Sequence, residues 1–279
     1  GGAVLRERLS DAAWNGRVIA PVRRTLHVSD PRVTGITAPL PDPAFDGELY
    51  AQVSDRLGGA AIDAYISCLG TTLKSAGSRE AFIAVDRELV LRLAKMSYDL
   101  GARRAIMVSS VGASRQSANF YLRVKGEVED ELAKIGFERL DLIQPGLLLG
   151  ARNERRPGES FAQTLAPIYN PLLIGKKLRR YRAIDAADVA RAIVRLSERT
   201  ESGQFVHEYD AIVALHSDDG PGGFGFGVGN IVLLANVAML WAYTGGCHSC
   251  RHVFGGRLNH FSKHPIRYWF WTKISWFNG

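Results

Sequence analysis

Apolar and polar residues alternate, over the first two hundred residues, between short apolar runs and longer segments with helical spacing. The runs that predict buried strands are 16–24, 63–72, 104–112 and 139–146. The segments that predict helices are 79–102, 119–135 and 185–199. Ser78 and Asp185 are candidate N-caps, and Gly101 is a candidate stop. Strands separated by helices of this length predict a parallel sheet with helices on both faces.

The ends of these predicted strands carry polar or small residues. Parallel α/β sheets bind ligands outside the carboxyl ends of their strands. The residues at four consecutive strand ends are Arg23 and Arg24, Gly70 and Thr71, Ser109 and Ser110, and Pro145 and Gly146. Such a concentration of ligand-binding residue types predicts a site along this edge of the sheet.

Tyr121 and Lys125 lie four residues apart in the predicted helix 119–135, so both side chains can face one cleft. An ammonium near a phenol favours the phenolate and makes proton exchange easier at neutral pH. With a serine hydroxyl to hold the substrate oxygen, this pair suits hydride transfer at a carbonyl or alcohol carbon. The alternative interpretation is a tyrosine that covers apolar surface beside a solvated lysine.

Six stretches of the chain resemble, in order, the atypical short-chain dehydrogenase/reductases, and among them the Tat-interacting-protein-like oxidoreductases. The stretches are "CLGTT", "VDRELVLRLAK", "VSSVGAS", "YLRVKGEVEDEL", "QPGLLLG" and "RNERRPGE", within residues 1–213. The resemblance implies a Rossmann-type domain, bound NADP or NAD, and a Ser-Tyr-Lys catalytic set.

The resemblance also implies a role for individual residues. Tyr121 would be the acid/base, and Lys125 would hold the nicotinamide ribose and tune the tyrosine. Ser109 would orient the substrate oxygen, with Ser110 as the alternative. The residues implied to lie along the cofactor are Gly70, Thr71, Pro145 and Gly146.

Two further pairs of residues bear on the cofactor. Arg23 and Arg24 stand where an acidic residue would bind the ribose of NAD, so they favour the extra phosphate of NADP; two solvated surface arginines are the alternative. Gly1 and Gly2 are all that is present of the glycine loop that the resemblance implies. The strand before that loop is absent at this end of the chain, so we expect a sheet that lacks its first strand and binds the cofactor less tightly.

Residues 217–279 differ in character and predict a second unit, an apolar tail similar to a membrane anchor. The segment 222–243 has no charged residue and is long enough for one transmembrane helix, although a buried core helix is the alternative. The stretches "CHSCRH" and "GGRLNHFSKHP" resemble the membrane-anchor subunit of actinobacterial succinate dehydrogenases. Trp269, Trp271 and Trp276, near Arg and Lys, suit a membrane interface.

The tail also carries residues that suit metal ligation. Cys247, Cys250 and His252 are candidate ligands of a metal or iron–sulfur cluster, and an unliganded polar turn is the alternative. Haem ligation by His260 or His264 is a further alternative.

Charge and cysteine content narrow the function classes. The net charge is +7, of which +3 falls from Ser217 onward and +4 on the preceding 216 residues, so nucleic acid is not an expected partner. Three cysteines are too few for a disulfide framework, which favours a cytoplasmic location for 1–216. The tail would lie in the inner membrane. The basic residues after 222–243 would leave its C-terminal side cytoplasmic and export the first domain, so the charge pattern favours a fusion near residue 216.

The sequence therefore predicts an NAD(P)-dependent oxidoreductase domain over 1–216 that acts on a small carbonyl or alcohol substrate. One alternative is a nucleotide-binding sensor or scaffold without catalysis. Another is a respiratory membrane anchor fused to a vestigial domain. Neither the particular substrate nor the oligomeric state is predicted.

Overall fold

The computed structural model describes residues 1–149, 175–217 and 229–235. The strands are β1 (Arg17–Val22), β2 (Val33–Thr37), β3 (Ala64–Cys68), β4 (Arg104–Val108), β5 (Arg139–Ile143), β6 (Leu148–Leu149), β7 (Ile184–Asp185), β8 (Gly203–His207) and β9 (Asn230–Ala235). The helices are α1 (Gly2–Ser10), α2 (Asp46–Leu57), α3 (Leu73–Ala76), α4 (Arg79–Ile83), α5 (Val90–Asp99), α6 (Phe120–Ile135), α7 (Lys176–Arg179), α8 (Ala186–Leu196) and α9 (Tyr209–Ser217). All described residues belong to one compact unit, Gly1–Ala242.

Seven strands form one parallel sheet in the order β2-β1-β9-β3-β4-β5-β8, and β6 and β7 form a separate pair. On one face, the core combines the sheet with α2, α5 and α6, for example through Val53, Leu93 and Leu132. On the other face, α1, α8 and α9 cover the sheet. The prediction of a Rossmann-like sheet with helices on both faces is confirmed.

The centre of this sheet is filled by β9, which contradicts the expectation of a sheet without its first strand. β9 pairs in parallel with β1 on one side and with β3 on the other. Its residues Ile231 and Val232 are buried. An aliphatic run buried on both faces is typical of parallel strands, and such a run has no periodicity that separates it from a buried helix. The division of the chain at residue 216 stays a prediction, but β9 lies beyond it.

The amino end of β9 is fixed by polar contacts to both neighbouring strands. The Asn230 backbone N–H donates to the Asp63 carboxylate at 2.7 Å, and its side-chain amide donates to the Ala61 carbonyl at 3.0 Å. Arg17 donates to the Asn230 side-chain oxygen at 3.0 Å. Gly16 must be glycine here, since an added Cβ would lie 2.2 Å from the Gly229 carbonyl oxygen.

The predicted transmembrane helix 222–243 is not supported. Residues 230–235 of this segment form a strand, and its remaining residues other than 229 lie outside the described part of the chain. Among the described residues, no helix has both the length and the apolar character needed to span a bilayer.

The predicted helix 79–102 is continuous but not uniform. It begins at Arg79, where the Ser78 hydroxyl accepts a hydrogen bond from the Ala81 N–H at 3.1 Å, so the predicted N-cap is confirmed. Between α4 and α5, residues Ala84–Leu89 form a π-helical turn. Such turns are rare and are often found at functional sites.

Candidate functional site

The helix α6 presents three ionisable side chains on one face, toward the carboxyl ends of β3, β4 and β5. Tyr121, Lys125 and Glu129 follow one another at intervals of four residues. The helix begins after Asn119, whose side chain accepts a hydrogen bond from the Leu122 N–H at 3.2 Å. Gly126 lets the preceding loop pack directly on the helix, because an added Cβ would lie 2.3 Å from the Ser114 carbonyl carbon.

Lys125 is buried, with only 2% of its side chain exposed, and is not a solvated surface charge. Its ammonium lies 3.0 Å from the Asp86 carboxylate and donates to the Leu69 carbonyl at 3.4 Å. The same nitrogen lies 6.0 Å from the centre of the Tyr121 ring. Tyr121 itself is half-buried, and its ring packs edge-on against Phe82. The structure thus brings Tyr121 and Lys125 together, and it also places the Asp86 carboxylate beside the lysine.

Asp86 was missed in the sequence interpretation. It lies in the π-helical turn, it is fully buried, and its second oxygen accepts the Thr71 backbone N–H at 2.8 Å. A signal for it exists in the sequence, because Asp86 occupies an apolar-face position four residues after Phe82 and four before Val90. A carboxylate at such a position is uncommon unless it is paired.

The two candidate serines differ in environment. Ser109 is buried, and its hydroxyl lies beside the Glu129 carboxyl without a well-aligned hydrogen bond to any described residue. The side-chain amide of Gln144 donates to both oxygens of Glu129, at 2.9 and 3.0 Å. Ser110 is only half-buried. Ser109 therefore belongs to a buried polar cluster, whereas Ser110 has more access to the edge of the sheet.

Burial raises the pKa of Glu129 above the ordinary value for a glutamate. The hydrogen bonds from Gln144, the nearby Ser109 hydroxyl and the charge of Lys125 act in the opposite direction but do not offset the loss of solvent. Glu129 was also missed in the sequence interpretation, although it lies four residues after Lys125, just as Lys125 lies four residues after Tyr121.

The predicted cofactor-lining residues follow the carboxyl ends of two strands, β3 and β5. Gly70 follows β3, and an added Cβ would lie 3.9 Å from the Lys125 ammonium. Thr71 is tied to Asp86 as described. Pro145 and Gly146 follow β5, where the Pro145 carbonyl accepts the Val111 N–H at 3.0 Å. Gly146 lies against the segment before β7, since an added Cβ would approach the Arg182 carbonyl oxygen to 2.5 Å.

The remaining predicted residues lie elsewhere on the same unit or outside the described part. Arg23 and Arg24 are exposed directly after β1. Gly1 is the N-cap of α1 and Gly2 its first residue, with nothing within 4 Å of an added Cβ on Gly2. The candidate metal ligands Cys247, Cys250 and His252, and the alternatives His260 and His264, lie outside the described residues. Within the described ranges, no group of three or more His, Cys, Asp or Glu side chains is placed to hold a metal ion.

This strand order, with a polar cluster at the carboxyl edge, defines a Rossmann-like α/β protein. Among solved structures, the chain is similar to the Bordetella bronchiseptica enzyme WbmH in complex with NAD+, with a TM-score of 0.52, 16% identity, and coverage of 84% of this chain and 82% of that chain. It is also similar to an apo SCOR enzyme from Clostridium thermocellum, with a TM-score of 0.51, 14% identity, and coverage of 74% and 85%. At sequence identities this low, the structural similarity shows the fold alone.

Particular relatives are found by sequence. The chain is 33% identical over 158 residues to the mitochondrial protein FMP52 of Candida albicans, which is 56% of this chain and 66% of the relative. It is 42% identical over 102 residues to mitochondrial fmp52 of Emericella nidulans, covering 37% and 44%, and 37% identical over 161 residues to HTATIP2 of Rattus norvegicus, covering 57% and 64%. In each case the aligned region is less than two thirds of the relative's own length.

The C-terminal part of the chain matches a different family model. Residues 203–279 match the actinobacterial succinate dehydrogenase subunit SdhC. The similarity predicted for the tail is thus found, and it begins earlier than predicted, at β8. The matched range therefore includes β8, α9 and β9, all of which belong to the Rossmann-like unit.

Proposed function

We propose that the Rossmann-like unit is an NAD(P)-dependent oxidoreductase that transfers hydride between a nicotinamide cofactor and a small carbonyl or alcohol substrate. The observation that carries the proposal is the buried Lys125 ammonium, held beside Tyr121 at the carboxyl edge of the sheet. A buried ammonium is rare unless it is paired, because burial disfavours its charge, and such groups are concentrated at functional sites. Similarity to the HTATIP2 and FMP52 proteins supports the same class.

Residues beyond the Lys125 cluster support a dinucleotide as the ligand. Gly1 and Gly2 at the amino end of α1 would hold the pyrophosphate, since backbone N–H groups at a helix N-terminus favour anions. Exposed Arg23 and Arg24 after β1 support NADP over NAD. Lys125 would bind the nicotinamide ribose. The nicotinamide supplies or accepts the hydride when it is bound.

The cofactor would carry the hydride, and side chains of the protein would transfer the proton. Tyr121 would exchange a proton with the substrate oxygen. We assign the orienting hydroxyl to Ser110 or Ser109, and the greater exposure of Ser110 supports Ser110. Ser109, packed against Glu129, would then support the floor of the site.

The experiment compares the full chain with its Tyr121→Phe variant. NADPH and NADH are titrated by fluorescence, and turnover is followed by NADPH absorbance across a panel of aldehydes and ketones. We expect tighter binding of NADPH than of NADH. Tyr121→Phe should lose about 10²-fold or more of turnover because the proton donor is gone, with cofactor binding retained.

Tyr98→Phe is the matched control, since Tyr98 is a half-buried tyrosine on α5 whose ring packs on Phe137. It should retain turnover. Retained turnover in Tyr121→Phe would contradict the assigned role. Cofactor binding without oxidation across the whole panel would favour a nucleotide sensor instead.

A membrane role for the tail remains a proposal that the SdhC match supports. Because residues 230–235 form β9, they are not available to a spanning helix over 222–243.

A further inference from the structure

We propose that Asp86 is a positioning residue of the site: its buried carboxylate holds the Lys125 ammonium charged and in place at the carboxyl end of β3. The inference rests on the proposed function for its meaning, but its physical content concerns only the charge and location of Lys125.

Both charges of the Asp86–Lys125 pair are buried. The Asp86 side chain is fully buried and that of Lys125 is 2% exposed, with 3.0 Å between the carboxylate oxygen and the ammonium. An isolated charge in such surroundings is strongly unfavourable, whereas a paired one is tolerated. Each group therefore depends on the other to remain charged.

The two oxygens of the Asp86 carboxylate have different partners. One oxygen of Asp86 faces Lys125, and the other accepts the Thr71 N–H at 2.8 Å. Lys125 in turn donates to the Leu69 carbonyl at 3.4 Å. A single carboxylate thus ties the loop after β3 to the lysine of α6. These are two of the elements that the proposed function places against the cofactor.

Three charged or titratable groups face Lys125 among the described residues. Asp86 comes from the π-helical turn, and Tyr121 and Glu129 come from α6 itself. The Glu129 carboxyl is already bound by Gln144, and its pKa is raised by burial. Asp86 is therefore the principal counter-charge, and without it the buried ammonium would lose its proton more readily.

Asp141 on β5 provides a matched control. Its side chain is 1% exposed and accepts two hydrogen bonds from Arg139, at 2.6 and 2.9 Å. Leu140 and Leu142 pack with α6, so Asp141 points to the opposite face of the sheet, as Ile143 does. Asp141→Asn therefore also breaks a buried ion pair, but on the face of the sheet opposite α6 and Lys125.

The test is an NMR pH titration of lysine side chains in the full chain, with the Lys125 signal assigned from Lys125→Met. It requires no substrate and no turnover. In Asp86→Asn, which preserves size and an acceptor for Thr71, we expect the titration midpoint of Lys125 to fall by about one pH unit or more. In Asp141→Asn it should stay in place.

An unchanged midpoint in Asp86→Asn, or an equal change in Asp141→Asn, would overturn the proposal. If Asp86→Asn does not fold, hydrogen exchange of the Lys125 ammonium is measured in the unsubstituted protein. Slow exchange at neutral pH relative to the exposed Lys134 is expected for an ammonium held by a buried carboxylate, and equal exchange would overturn the proposal. Absence of turnover in the unsubstituted protein would count against the proposed function and leave this result standing.

Discussion

Two regions of the same sheet are stabilised by different physics. Around β3, β4, β5 and α6, buried charge pairs and a close helix–loop approach hold the candidate site. At the centre, β9 is held between β1 and β3 by a backbone ladder and aliphatic burial, with Asn230 fixing its start. Aliphatic packing responds to lost volume or to inserted charge, whereas charge pairs respond to pH and to removal of one partner.

The largest expected effect is at the centre of the sheet. Val232→Asp would place a carboxylate at a fully buried position of β9. The penalty of several kcal/mol for an unpaired buried charge is comparable to the whole stability of a domain, about 5–15 kcal/mol. We expect loss of the cooperative unfolding transition, measured by circular dichroism in urea.

Val206→Asp is its control, because Val206 lies on the edge strand β8 and is 51% exposed. This variant should unfold cooperatively with little change in midpoint. Equal stability of the two variants would show that β9 is not part of the sheet.

A smaller effect is expected where the loop meets α6. Gly126→Ala would bring a methyl group to within 2.5 Å of the Arg115 backbone nitrogen. We expect the free energy of unfolding to fall by about 1–3 kcal/mol, as for other overpacked sites. Gly47→Ala in α2, where nothing lies within 4 Å, should leave it unchanged or raise it by up to about 1 kcal/mol. A neutral Gly126→Ala would contradict the close approach.

The smallest effect is a pH dependence confined to the site region. Because burial raises the pKa of Glu129 in the folded state, the folded protein binds a proton at Glu129 more readily than the unfolded chain does. This contribution to stability is full below the ordinary value of 4.5 and is lost as pH rises through the folded-state pKa. The stability of the unsubstituted protein relative to Glu129→Gln should therefore decline as pH rises across that window.

Glu131→Gln is the control with the opposite sign. The ammonium of Lys134 lowers the pKa of Glu131, so its contribution is present above the ordinary value and lost as pH falls. Urea unfolding midpoints measured from pH 4 to pH 8 for the three proteins distinguish these slopes. Parallel slopes for the two variants would contradict the environment described for Glu129.

Much of the site was predictable because it is local. The four-residue spacing of Tyr121 and Lys125 lies within one helix, so their shared face follows from helix geometry. Asp86 was not predicted because it lies 39 positions earlier in the chain, and only packing of the π-helical turn against α6 brings its carboxylate to Lys125. The same holds for Ser109 and Gln144, which follow adjacent strands and meet Glu129 only in the folded protein.

The sequence by itself determined the alternation of strands and helices, the polar edge of the sheet and the Tyr121–Lys125 pair. These depend on periodicity and on chemistry within short segments. Tertiary structure alone decided which strand fills the centre of the sheet. β9 begins 208 positions after the end of β1, and its apolar run suits a strand or a helix equally well until neighbours are present. Its conformation is set by the unpaired backbone groups of β1 and β3, which have to be satisfied where the two strands are buried.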